Sequence, residues 1–161
     1  MELLKKTFFS LLGLTVIVWS FYIVLTKPAP AKYQETKPVS TWQVNTPDGQ
    51  RIIVELANTP EKRERGLSSR DLLETGHGLL FIFDTPGTYG FWMKDMRFPI
   101  DIVWIDENWQ IIAVERNVSP ETFPQIFTPE KPIRYALELN AGEAEIFGID
   151  TGGILSFGTS N

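Results

Sequence analysis

An all-β fold, sandwich or barrel, with one or two short helices is predicted for residues 42–161 of this 161-residue chain. Three observations predict it. Seven or eight short apolar or β-branched runs follow one another closely, the spacing of all-β architectures. Turn residues separate them, with Asp48-Gly49, Pro86-Gly87 and Asp106–Trp109 as the clearest cases. Strand–helix–strand alternation is missing, so a doubly wound sheet is not expected.

The elements follow in chain order. "TWQVNT" and "RIIVELA" flank Pro47-Asp48-Gly49 and read as strand, turn, strand, because Asp-Gly between β-branched runs favours a hairpin. "NTPEKRERGL" reads as a short helix. Thr59 suits its N-cap, Pro60 its first position and Gly66 its stop. "SSRDLLETG" is expected to add another helical turn. "GLLFIF", "TYGFWMK", "FPIDIVWI" and "QIIAVERNV" read as four strands. "SPETFPQIFTPEKP" is a long proline-rich loop, and "IRYALEL" is a strand. "NAGEAEIFG" reads as a short helix capped by Asn140 and stopped by Gly148, and "GGILSF" as the last strand.

Ahead of this domain, residues 7–26 carry no charge and lie between Lys6 and Lys27. At about 1.5 Å per residue such a run spans a bilayer core of roughly 30 Å. Trp19 and Tyr22 stand toward its far end, and Lys5 and Lys6 precede it, which favours a cytoplasmic N-terminus. Residues 1–26 are therefore expected to be a single-pass membrane anchor. A cleaved signal peptide ending at Ala29-Pro30-Ala31 is the alternative. Both place the rest of the chain outside the cytoplasm. Residues 27–41, with three prolines and no apolar period, read as an extended linker.

Composition excludes several functions. Net charge is −5, and without Glu2, Lys5 and Lys6 the remainder carries 13 basic and 19 acidic residues. No basic stripe for nucleic acid is present. The chain has no cysteine and one histidine, His77. Disulfides, thiolate chemistry, zinc–cysteine sites and histidine pairs are thereby removed. Asp95, Asp101 and Asp106 lack calcium-loop spacing, so neither a metal nor a cofactor is expected.

The densest stretch is "GFWMKDMRFPIDIVWID", residues 90–106. It is expected to form a hairpin or corner, with Phe91, Met93, Ile100 and Ile102 in or near the core. Strand alternation places Asp101 on the face of Val103 and Ile105. A carboxylate there needs a partner, and Lys94 or Arg65 is expected to supply it. Glu138 shares a face with Ala136 and Asn140. That face reads as the outer one, with a place in a cleft as the alternative. Arg65, just before Gly66, caps its helix or grips an anion. His77 reads as a solvated or structural loop residue.

These motifs, "VELANTPEKRERGLSSR", "GLLFIF", "FWMKDMRFPIDIVWID", "YALELNAG" and "GIDTGG", resemble the domain-of-unknown-function family 192 over about residues 50–157. Asp95 stands where that family has asparagine, Ser68-Ser69 where it has Met-Phe, and the cysteines of many members are missing from the 119–132 loop. The resemblance implies a compact jelly-roll-like β-sandwich, often exported or membrane-attached in prokaryotes. By position it points to Arg65, Gly66, Trp92, Met93, Lys94, Pro99, Asp101 and Glu138. It brings no reaction with it.

Two functions fit. The first is a monomeric, membrane-tethered extracytoplasmic module, non-enzymatic, that binds an envelope glycan, peptide or protein. Its patch would comprise Arg65, Trp92, Lys94, Asp101 and Glu138. The second is a small hydrolase or transferase on envelope polymers, with Asp101 and Glu138 as acid–base pair and Lys94 or Arg65 stabilising charge. Carboxyls for glycoside chemistry would need to lie roughly 5–9.5 Å apart.

Overall fold

The computed structural model describes residues 41–159. The anchor expected at residues 1–26 and nearly all of the linker lie outside them. Among the described residues no helix is long and apolar enough to cross a membrane.

The domain is mostly β. Its strands are β1 Trp42–Asn45, β2 Arg51–Ala57, β3 His77–Gly87, β4 Ile100–Ile105, β5 Ile111–Val118, β6 Ile133–Asn140 and β7 Ser156–Thr159. Two short helices complete it, α1 Pro60–Arg65 and α2 Glu143–Ile146. The seven strands form one sheet in the order β5-β4-β6-β3-β2-β1-β7. This differs from the two facing sheets of a jelly-roll sandwich. The reason lies at the sheet ends. The main chain of Gly152–Leu155, just ahead of β7, bonds to Trp109 and Ile111 at the start of β5, and Gln110 bridges Ile154. The segment leading into the last strand of the order thus meets the start of the first, and the sheet curls back on itself as a barrel does.

Curling gives the sheet two buried faces. The inner one carries Val44, Ile52, Val54, Leu80, Val103 and Leu137 with their neighbours. The outer one carries Leu79, Phe81, Ile102, Trp104 and Ala136, packed beneath loop residues Leu67, Leu73, Phe91 and Met93. Gly78 shares the inner face with Leu80, and a side chain is excluded there because a Cβ would come within 2.8 Å of Leu137 Cδ1 and 3.1 Å of the Glu138 carbonyl.

Local chemistry explains most elements. α1 begins where Thr59 accepts a hydrogen bond from the Lys62 amide, has Pro60 in its first turn, and stops at Gly66. Several local readings are corrected. Pro86-Gly87 is no turn but the end of β3, and the last strand is Ser156–Thr159 rather than "GGILSF". Ser68–Gly76 is turns and coil and adds no helix. "TYGFWMK" is not a strand, since only Phe91 bridges, to Phe127. Of the two forms expected for residues 90–106, the corner is the one formed, with Phe91, Met93, Ile100 and Ile102 all buried as expected. α2 is capped by Gly142, in the left-handed region at φ 85°, because Asn140 still belongs to β6 and donates its side-chain amide to the Leu73 carbonyl. Lastly, β2 and β3 pair in parallel with α1 between them, a crossover hidden by the shortness of that helix.

Candidate functional site

The α1–Gly66 turn and the 89–92 segment roof over the outer face of β3 and β6. Beneath them is a cavity of about 420 Å³. Phe81 and Phe83, two residues apart on β3, form one wall. Tyr89 stacks on Phe83 with centroids 3.6 Å apart, and Phe91 stands edge-on to Phe81 at 5.1 Å. Trp92 completes the rim and is 50% exposed. Arg63 and Arg65 also line the space. The Arg63 guanidinium is already engaged, donating to the Ile82 carbonyl at 2.8 Å and lying over the Phe83 ring.

Glu138 forms the floor. Register places it opposite Leu79 of β3 and Ile102 of β4, so it stands on the outer, apolar face of the sheet. It is 6% exposed, and its Oε2 has no hydrogen-bond partner among the described residues. A Cβ at Gly66 would lie 3.9 Å from that oxygen and 3.5 Å from Phe81. Glycine holds this position at φ 51°, ψ −134°, conformational space that residues with a Cβ rarely occupy. The roof therefore comes down to the floor without a side chain between them. Burial pushes the Glu138 carboxyl up to about 8, opposed by the charge of Arg70. At neutral pH it is a neutral acid, able to donate one hydrogen bond and accept others. Arg70 itself is committed to Glu55 in a bidentate pair at 2.6 and 2.9 Å, which holds Glu55 below the usual carboxylate range and raises Arg70.

The structure brings together Arg65, Trp92 and Glu138 of the five candidate residues. The expectation of Glu138 on an open outer face is corrected: it is buried, because the α1–Gly66 turn covers that face, and it lines the cavity. Lys94 is exposed outside the cavity, and its backbone carbonyl accepts from Ser68. Asp101 belongs to the opposite face of the sheet and is fully buried. The expected cation is replaced by two backbone donors. Asp101 Oδ1 accepts from the Asn117 amide at 2.8 Å and Oδ2 from the Ala144 amide at 3.0 Å. Asp101 pairs with Leu139 across β4–β6, and Ile102 with Glu138. Alternation therefore sends the two carboxyls to opposite sides, and they form no acid–base pair.

Sequence reasoning missed Phe81, Phe83 and Tyr89 as site residues. The first two belong to the "LLFIF" run, whose alternate members face away from the inner core. That alternation was the available signal.

A small, mostly β domain with a curled sheet and a lidded aromatic cavity on its outer face is thus defined. The chain belongs to the family of uncharacterized proteins DUF192, described as Uncharacterized ACR, whose model matches residues 43–157. Two crystal structures are similar to it. One, 32% identical with a TM-score of 0.67, is of a Sinorhizobium meliloti 1021 protein provisionally named a transcription regulator; the match covers 73% of this chain and 92% of that one. The other is a protein of unknown function from Novosphingobium aromaticivorans DSM 12444, 26% identical with a TM-score of 0.65, covering 80% and 93%. No curated protein matches the chain.

Proposed function

We propose that the domain is a non-enzymatic binding module, tethered to the membrane on its extracytoplasmic side, which holds a ring-sized group of an envelope glycan, peptide or protein. The observation that carries this reading is Glu138, whose buried Oε2 has no hydrogen-bond partner among the described residues, at the floor of an aromatic cavity. Leaving a buried polar group unsatisfied costs about 1–3 kcal/mol, and a ligand reaching that oxygen removes the penalty. Aromatic walls with a few polar groups suit small-ligand recognition. The uncharged run at 7–26 after Lys5 and Lys6 supports the tether. The hydrolytic alternative loses its support with the separation of Asp101 from Glu138.

A photoreactive residue in place of Trp92 in the full-length protein in cells should crosslink an envelope component. One in place of Ile146, exposed on α2 outside the cavity, should not. Equal crosslinking at both positions, or none at Trp92, overturns the binding site. Recovery of full-length protein in the soluble cytoplasmic fraction overturns the tether.

A further inference from the structure

We propose that the group the cavity receives is a phenol ring whose hydroxyl seats on Glu138; this rests on the binding reading above and narrows its ligand. The walls set the body of the ligand. Phe81, Phe83, Tyr89, Phe91 and Trp92 line the space, with Tyr89 stacked on Phe83 and Phe91 edge-on to Phe81, and a further ring adds to such a cluster by stacked or edge-to-face contact. Met96 adds a polarizable contact. A pyranose would need several hydrogen-bonding groups around it. Here the buried, unpartnered polar atom among the described lining residues is Glu138 Oε2.

The floor sets the tip. Glu138 Oε2 is buried and unpartnered, so the end of the ligand that reaches it must carry a hydrogen-bonding group. Charge then selects among such groups. Among the charged residues of the α1 turn that line the space, Arg63 and Arg65 outnumber Glu64, which disfavours an ammonium, and the charge of Arg70 also acts on Glu138. A carboxylate would have to lie against the Glu138 carboxyl. An uncharged hydroxyl avoids both conflicts and offers a donor and an acceptor together. The acid is itself uncharged at neutral pH, which matches a neutral tip. The Arg65 side chain makes no ion pair or hydrogen bond among the described residues, although its charge helps to hold Glu55 ionised, and it stands exposed where the cavity opens. It is placed to meet whatever chain carries the ring. That chain is either a polypeptide, the phenol being a tyrosine side chain, or the remainder of a small phenol.

Titration calorimetry on the purified full-length chain at neutral pH, with heats into matched detergent buffer subtracted, tests this with para-cresol, toluene and para-methylbenzylamine. Para-cresol should bind about tenfold more tightly than toluene, the worth of one net hydrogen bond, and more tightly than the amine. Glu138→Leu should remove that preference, and Glu138→Gln, which keeps a hydrogen-bonding tip of the same shape, should retain most of it. Toluene or the amine binding as tightly as para-cresol overturns the phenol while leaving the cavity a binding site. An unchanged preference in Glu138→Leu also overturns it. No binding by any probe overturns the phenol, and crosslinking at Trp92 decides the binding reading separately. N-acetyltyrosinamide stronger than para-cresol assigns the ring to a polypeptide, and the reverse order to a small phenol; either supports the proposal.

Discussion

Glu138 shows how one carboxyl can carry a pH dependence for the whole domain. Its neighbours across the strands, Leu79 and Ile102, are apolar, so ionisation there is penalised. The folded value of about 8 lies above the ordinary 4.5. Between those two pH values the folded state holds a proton that the unfolded state has lost, so stability falls as pH rises and levels off above about 8. The slope for one proton is at most about 1.4 kcal/mol per pH unit. Glu138→Gln cannot ionise. Urea unfolding across this range should therefore show a shallower decline in Glu138→Gln than in wild type, with the variant's relative advantage largest at the alkaline end. Parallel profiles for the two proteins would show that Glu138 is not the group responsible.

Asp101 acts between elements. Its two oxygens take one amide from β5, where the register against β4 shifts between Ile100 and Ile102, and one from the first turn of α2. Asn117, the donor on β5, has φ 54°, so the irregular backbone there is held by the same carboxylate. Hydrogen bonds to charged groups contribute about 1.5–3 kcal/mol each. Asp101→Asn, which keeps one acceptor and brings an amide against the other donor, should lower unfolding stability by roughly 2–4 kcal/mol. Binding at the cavity, on the other face of the sheet, should survive in the folded fraction. A variant as stable as wild type that has lost ligand binding would assign Asp101 to the site instead. The corner at 90–99 is a second lesson at this scale. Phe91 and Met93 are buried there although Met93 lies in no strand and Phe91 only in one bridge, because the loop packs both against the outer face of the sheet.

At the scale of the molecule, closure of the sheet rests on a small set of contacts. The Trp109 ring stacks on Tyr135 at 4.1 Å and on Phe157 of β7 at 5.4 Å, and Phe157 stacks in turn on Trp42 at 5.0 Å. The carbonyl of Trp109 accepts from Leu155 at 3.0 Å. One residue in the β4–β5 turn thus ties the two ends of the sheet. Trp109→Ala should cost about 2–4 kcal/mol, less than a fully buried tryptophan because the ring is partly exposed. Hydrogen exchange should rise most at Gly152–Leu155 and at β7, and least at Leu137 and Leu139 in β6. Uniform acceleration over the domain would mean that closure is not a separable feature.

Most strands, the caps of α1 and the burial of Asp101 were legible in the sequence, because each depends on residues close together in the chain. Alternation in "IDIVWI" put Asp101 among Val103 and Ile105, and Thr59, Pro60 and Gly66 marked a helix. Family membership over residues 43–157 was legible from the same motifs. The partners of Asp101 were not, since its donors at Asn117 and Ala144 lie 16 and 43 residues away and backbone amides leave no trace in side-chain patterns. Nor was the single curled sheet, which depends on whether Gly152–Leu155 meets β4–β5 or pairs elsewhere. The candidate site divides the same way. Arg65, Trp92 and Glu138 could be named one by one. Only the tertiary structure brings the α1 turn onto Glu138, joins the rings of β3 to Tyr89, and sends Asp101 to the other face. Adjacent residues on paired strands face opposite ways, and which face lies under a roof is decided by segments distant in the chain.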